Sequence, residues 1–221
     1  LGYFSLIKKV DTFVILDNVK YIKEEWKNRN KIRFNSKLDK TRWLTIPINK
    51  NQKNLNINQI EIYNYKEIIN NHLKLISKSY LKSNYYNDIV KIYSNVSSKL
   101  NNKLIKLSHL NALFIIEICS YLEIDTNILF ASHIDDHKTE KNINLINIIK
   151  LCKGHIFIAN NKSFQYLDLE IFKKNKIELI KQNYKFPVYV QKYNEKNLKN
   201  IANLSIIDTI ANVGPKTLEL L

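Results

Sequence analysis

Between residues 127 and 212 short runs of β-formers alternate with stretches of helical period, and this alternation limits the fold more than any other feature. Asn127–Ala131 (NILFA), His155–Ala159 (HIFIA) and Ile177–Ile180 read as strands. Glu140–Lys153, Ser163–Lys174 and Ser205–Asn212 read as helices. Continuous apolar runs this short suit strands covered on both faces. A strand, a helix and a second strand in succession form a crossover that leaves the two strands parallel. Thr12–Leu16 (TFVIL) has the same character and ends at Asp17-Asn18. A mostly parallel sheet with helices on its faces is therefore expected.

Two blocks precede or interrupt this pattern. Lys31–Ile48 reads as a small hairpin whose turn is NSKLDK, 35–40, and whose return strand alternates through Trp43-Leu44-Thr45-Ile46-Pro47-Ile48. Pro47 would place that strand at an edge. Ile57–Ile62 reads as a further strand. From Asn64 to about Leu122 the period is helical: Ile68, Ile69, Leu73, Ile76 and Tyr80 share one face, Ile89, Val90, Tyr93, Val96 and Leu100 another. The last helix of this block, about Lys103–Leu122, is apolar on most sides. Leu1–Lys9 is a short helix. Gly154 stops the helix before it, and Gly214-Pro215 stops the helix at Ser205–Asn212. With no repeat and no flexible linker, residues 1–221 read as one domain.

Several function classes are excluded by what is missing. Three glycines cannot build a GxGxxG dinucleotide loop or a P-loop. There is no GxSxG elbow and no Cys/His spacing for zinc, so neither metal nor cofactor is expected. Cys119 and Cys152 lie in apolar helical runs as buried free thiols, which fits a reducing compartment. No apolar run reaches the roughly 18 residues of a membrane span. The longest, LNALFIIEICSYL, is broken by Asn111 and Glu117, and Leu1–Val10 lacks the features of a signal peptide. A cytoplasmic protein is expected. The net charge of +15 points to anionic partners. Its lysines are spread along a chain crowded with Lys, Asn and Ile. A diffuse basic surface favouring anions such as sugar nucleotides is therefore expected over a dedicated nucleic-acid face.

The residues best suited to chemistry are concentrated in Asp17–Ile32, DNVKYIKEEWKNRNKI. Asp17 closes the TFVIL strand, where a carboxylate serves as a base, accepts from a sugar hydroxyl, or caps a turn. Lys23, Trp26, Asn28, Arg29 and Asn30 follow. Arginine forks onto phosphate, asparagine reads hydroxyls and amides, and Trp26 or Tyr21 can stack on a base or a sugar. The structural alternative is an exposed charged segment leading into the hairpin. Ser205 and Asp208 have the spacing of a helix capping box, with Asp208 answering Ser205, and the same helix end can take an anion. Gln191, with Tyr189, ends an extended segment where it can face a ligand. His133, Asp135, Asp136 and His137 follow a strand end; a solvated loop is the simpler reading, a metal or substrate contact the sharper one.

In order and spacing, LGYFSLI, DTFVILDNVKY, WKNRNKI, WLTIPI, FPVYVQ and SIIDTIANVG resemble the WbqC-like family of bacterial proteins, through nearly the whole chain. The resemblance implies a place in surface-polysaccharide (O-antigen, lipopolysaccharide) biosynthesis. It also implies a transferase that adds a glycyl or other acyl group to the amine of a nucleotide-linked amino sugar. An aminoacyl-tRNA or another acyl donor would then be a partner beside the nucleotide-linked sugar. Members begin with a short strand ending in Gln-Pro before LGYF, so a first strand upstream of Leu1 is expected. The strand–turn–helix it would complete resembles Rossmann-like nucleotidyltransferases. The expected fold class is thus α/β: a Rossmann-like mostly parallel sheet flanked by helices, with a helical block at about 64–122 and a small hairpin at about 31–48. The alternatives are a Rossmann-like nucleotidyltransferase and a nucleic-acid-binding module using the basic surface.

Overall fold

The computed structural model describes residues 1–34, 40–101, 103–134, 140–191 and 200–221. Its elements run α1 (Gly2–Lys8), β1 (Thr12–Ile15), β2 (Arg29–Arg33), β3 (Thr41–Thr45), β4 (Glu61–Tyr63), α2 (Tyr65–Tyr80), α3 (Tyr86–Ser98), β5 (Leu104–Lys106) and α4 (Leu107–Tyr121). They continue with β6 (Asn127–Phe130), α5 (Ala131–Ile134), α6 (Lys141–Leu151), β7 (Ile156–Ala159), α7 (Asn161–Phe164), α8 (Leu169–Lys174), β8 (Glu178–Lys181) and α9 (Ile206–Val213). Helix and strand are mixed, as expected. Among the described residues the strands pair two by two: β1 with β6 and β7 with β8 are parallel, β2 with β3 and β4 with β5 antiparallel. Parallel pairing thus holds where the β-α-β alternation is written, and the hairpin blocks add antiparallel ladders.

The chain divides into two compact units, one of Leu1, 19–124 and 186–221, the other of 2–18 and 125–185. In the second unit β1 and β6 run in register from Thr12 opposite Asn127 to Ile15 opposite Phe130. Ile146 and Ile149 of α6 pack with Phe172 of α8 and Ile177, and Phe157 and Leu179 of the β7–β8 pair close the cluster. Each such side chain, once buried, stabilises by about 1.5–3 kcal/mol. The single helix expected at 163–174 is two. Asp168 interrupts it, because its carboxylate accepts from the Glu170 and Ile171 amides and starts α8 afresh. At the end of α6 the left-handed residue is Lys153 (φ 57°), one position before the expected Gly154. The amides of Lys153 and Gly154 then return to Lys150 and Ile149, a Schellman stop.

In the first unit Ile76 and Tyr80 of α2, Ile89 and Val96 of α3, and Leu107 and Leu110 of α4 are buried together with Ile60 and Ile62. Two expectations need correction here. Ile57–Gln59 is a 3-10 turn, and the strand begins only at Glu61. The Asn56 amide donates to the Gln59 side chain, a local bond that holds the turn against extension. Leu104–Lys106 is a strand rather than the start of a helix, because buried Ile105 pairs across from Ile62. α4 therefore starts at Leu107, whose amide donates to Ile60. Pro47 lies two residues beyond β3 and removes no ladder bond. Of the expected turn at 35–40, residues 35–39 lie outside the described residues.

Candidate ligand-binding site

The segment before the hairpin is pinned by backbone and amide bonds. The Tyr21 amide donates to Leu55 and the Ile57 amide to Val19. Tyr21 is buried, and its hydroxyl donates to Asn28 Oδ1 at 3.0 Å; burial raises its pKa, against the opposing charges of Arg29 and Lys23. Asn28 Nδ2 donates to the Ile46 carbonyl, and Asn111 Nδ2 to that of Lys27. Asn28 is thus buried scaffold: both ends of its amide fix the entry into β2. Tyr21 presents no ring for stacking.

Past Asn28 the strand period takes over. Arg29, Lys31 and Arg33 alternate with Asn30 and Ile32, so the three cations share one face of β2. Lys31 pairs with Trp43 and Arg29 with Thr45 in the antiparallel register. Trp43 therefore joins the cationic face, and Trp26 packs on it from the preceding loop with ring centroids 5.0 Å apart. The Arg29 guanidinium lies 4.3 Å from the Trp43 ring centre; Lys31 Nζ is 5.0 Å from Trp43 and 5.8 Å from Trp26. Trp26 is 54% exposed, which leaves indole surface open to solvent. The plate is braced from below by α2: His72 Nε2 lies 3.0 Å from the Thr45 carbonyl, opposite Arg29. Burial lowers the His72 pKa, so a neutral ring donates that bond at neutral pH.

Arg33, at the far end of the row, turns inward. It is 1% exposed and its Nη2 donates to Gln191 Oε1. Its amide donates to the Tyr80 hydroxyl, which donates on to Asp208 Oδ1 at 2.7 Å. Tyr189 donates to Asp208 Oδ2 at 2.5 Å. Asp208 is wholly buried, and that burial raises its pKa against the lowering effects of the two hydroxyls and Arg33. The pKa of Tyr80 and that of Tyr189 rise for the same first reason, burial, with Asp208 adding to it. Asp208 therefore does not answer Ser205 in a capping box. Ser205 caps α9 alone, its Oγ accepting from the Ile207 amide at 3.4 Å. Gln191 likewise faces the interior: Tyr189 and Gln191 are buried while Val188 and Val190 between them are exposed.

Lys23 is an exposed lysine paired with Glu24 at 3.2 Å, and Asn30 Oδ1 accepts from the Lys31 amide. In the second unit Asp17 is buried at the end of β1, and both its oxygens are engaged by Ser132, from the amide at 3.0 Å and the hydroxyl at 2.6 Å. The two parallel strands are thereby tied at their carboxyl ends. His133 lies tilted against Phe130, ring centres 5.3 Å apart; Asp135, Asp136 and His137 lie outside the described residues. Among the described residues no group of His, Cys, Asp and Glu could hold a metal ion. Among the described residues no helix is long and apolar enough to cross a membrane. Lys31 lies within the expected Asp17–Ile32 stretch, whereas Arg33, Trp43 and Tyr80 were not among the expected site residues. The period of 2 from Arg29 contains Lys31 and Arg33, but Trp43 requires the register.

The model of the WbqC-like protein family matches residues 1–220. An uncharacterized protein of Mycobacterium tuberculosis is 28% identical over 174 residues, covering 77% of this chain and 71% of that protein. No solved structure matches the chain.

Proposed function

Because the chain belongs to the WbqC-like protein family, we propose that it acts in surface-polysaccharide biosynthesis as a transferase. It would add a glycyl or other acyl group to the amine of a nucleotide-linked amino sugar. The observation that carries this reading is the plate on β2–β3, where two indoles and two cations lie together. A nucleoside diphosphate needs that combination: flat apolar surface for the base and fixed positive charge for the phosphates. The free amine attacks the carbonyl carbon of an activated acyl donor. A C–N bond forms, the bond to the donor's leaving group breaks, and the ammonium proton passes to a base. An aminoacyl-tRNA is a donor consistent with a net charge of +15. The proposed chemistry is cytoplasmic. We read the parallel ladders of the second unit as the Rossmann-like part of the fold, on their β-α-β order.

Trp26 and Trp43 are the two tryptophans of the chain, so its indole emission reports on the plate alone. A uridine diphosphate-linked amino sugar is expected to change that emission saturably, and mass spectrometry should then detect its N-acylated product when an acyl donor is supplied. Trp43→Ala keeps Trp26 as the reporter and should weaken binding of the sugar nucleotide about tenfold or more. Undiminished binding by Trp43→Ala, or emission indifferent to every sugar nucleotide, would remove the plate.

A further inference from the structure

Arg29 is held in an unfinished state. One face of its guanidinium lies on Trp43, and its Nη2 donates to the Glu24 carbonyl. Its Nε is buried and has no hydrogen-bond acceptor among the described residues. Arginine normally presents Nε and one terminal nitrogen together as a fork for an oxyanion. Here a single neutral carbonyl and an indole face stand where an oxyanion would satisfy the fork, and a buried donor is left without a partner, which is costly. The carbonyl that occupies Arg29 belongs to a residue that is itself strained: Glu24 sits at φ 67°, a left-handed conformation unfavourable for a glutamate. The loop that carries it is otherwise held at the surface. Lys23 pairs with Glu24, Lys27 with Glu25, and Lys27 Nζ reaches the Lys20 carbonyl at 3.4 Å.

We infer that Glu24 is a stand-in ligand, and that the diphosphate of a nucleotide binds by displacing its carbonyl from Arg29. This rests on the nucleotide-linked ligand proposed above. Displacement releases the left-handed backbone at Glu24, opens Nε to the solvent side, and gives the Arg29 fork two phosphate oxygens in place of one carbonyl. Lys31, on the same strand face and within reach of both indoles, supplies the second charge. Trp26 travels with the loop that carries Glu24, so its exposed ring is set for the base when the loop moves. The subsite is thus Arg29, Lys31 and Trp43, with residues 22–27 as its displaceable cover.

The inference separates the backbone of residue 24 from its side chain. Glu24→Ala removes the carboxylate that repels phosphate but keeps the left-handed strain; Glu24→Gly removes both. Glycine favours the covered state, because it adopts positive φ at no steric cost. With uridine diphosphate and inorganic pyrophosphate as probes and indole emission as readout, Glu24→Gly should bind about fivefold more weakly than Glu24→Ala. Arg29→Gln should lose at least tenfold against the wild-type chain for both probes. Equal affinities for the Gly and Ala variants, or an undiminished Arg29→Gln, would overturn the displacement. Binding of both probes with the expected ranking, but no acylation of any amino sugar, would leave this subsite standing and remove the transferase reading. A wild-type chain whose emission answers neither probe would overturn both.

Discussion

Arg33→Met is expected to lower the stability of the first unit by about 3–5 kcal/mol, the cost of leaving the buried Asp208 without the positive charge that offsets it. Arg33 is 1% exposed and Asp208 fully buried, so water cannot take over the missing charge. Methionine fills much of the volume, which confines the effect to the charge and its bonds. The loss should depend on pH, and its sign follows from Asp208. Burial already raises the Asp208 pKa, and Arg33 is one of the groups that hold it down. Without Arg33 it rises further. A carboxyl whose folded pKa exceeds its unfolded value binds more protons when folded, so its contribution to stability falls as pH rises between the two. The deficit of Arg33→Met should therefore be smallest at the acid end of that window and widen as pH rises through it. Urea denaturation at several pH values measures it. Combining Arg33→Met with Asp208→Asn should cost less than the two single losses added together. A deficit independent of pH would show that the two groups do not share one electrostatic unit.

Arg33 also marks how much of this site was legible in the sequence. The strand period of NRNKIR shows that Arg29, Lys31 and Arg33 share a face, and nothing local shows that only Arg33 turns inward. Its partners Tyr80, Gln191 and Asp208 are 47 to 175 residues away in a chain of 221. Such a cluster is set by tertiary packing, where local propensity carries no information. The same limit explains Asp208. Three residues after Ser205 it fits a capping box, and a local rule assigns it there. Two buried tyrosine hydroxyls compete for its carboxylate and win. Asp17 was read correctly as the residue that ends TFVIL, while Ser132, which holds it, lies on the partner strand. What was legible were the elements with strong period: the parallel runs, the hairpin, and α2, α3 and α9. The short strand at Leu104–Lys106 was lost because three residues beside a long apolar helix show no period of their own. The family resemblance filled in the functional class, which neither period nor composition contains.

Gly214→Ala is expected to be the most damaging single-methyl change in the chain. Gly214 ends α9 with φ 59° and ψ −136°, and its amide closes the helix on the Ile210 carbonyl. Pro215 follows, and a residue before proline is pushed out of the helical region. Combined with a positive φ, that leaves a conformation open in practice to glycine alone, costing an alanine about 1–3 kcal/mol. A methyl group at Gly214 would also stand 2.3 Å from Cε1, 2.4 Å from Cδ1 and 2.7 Å from Cγ of Tyr85. Because Cγ is the ring's root, rotation about the ring axis gives no relief; the whole side chain must leave, at a further cost of about 1–3 kcal/mol. The expected total is about 2–6 kcal/mol, read as a lower urea midpoint with unchanged slope. The damage should also reach Asp208, since α9 carries both. Adding Tyr85→Ala to Gly214→Ala tests the division. It should recover the contact part of the loss and leave the backbone part, because removing the ring frees space but does not make positive φ easier for alanine. Full recovery would show that Gly214 is held only by the neighbouring ring, and no recovery would show that the backbone alone requires glycine there.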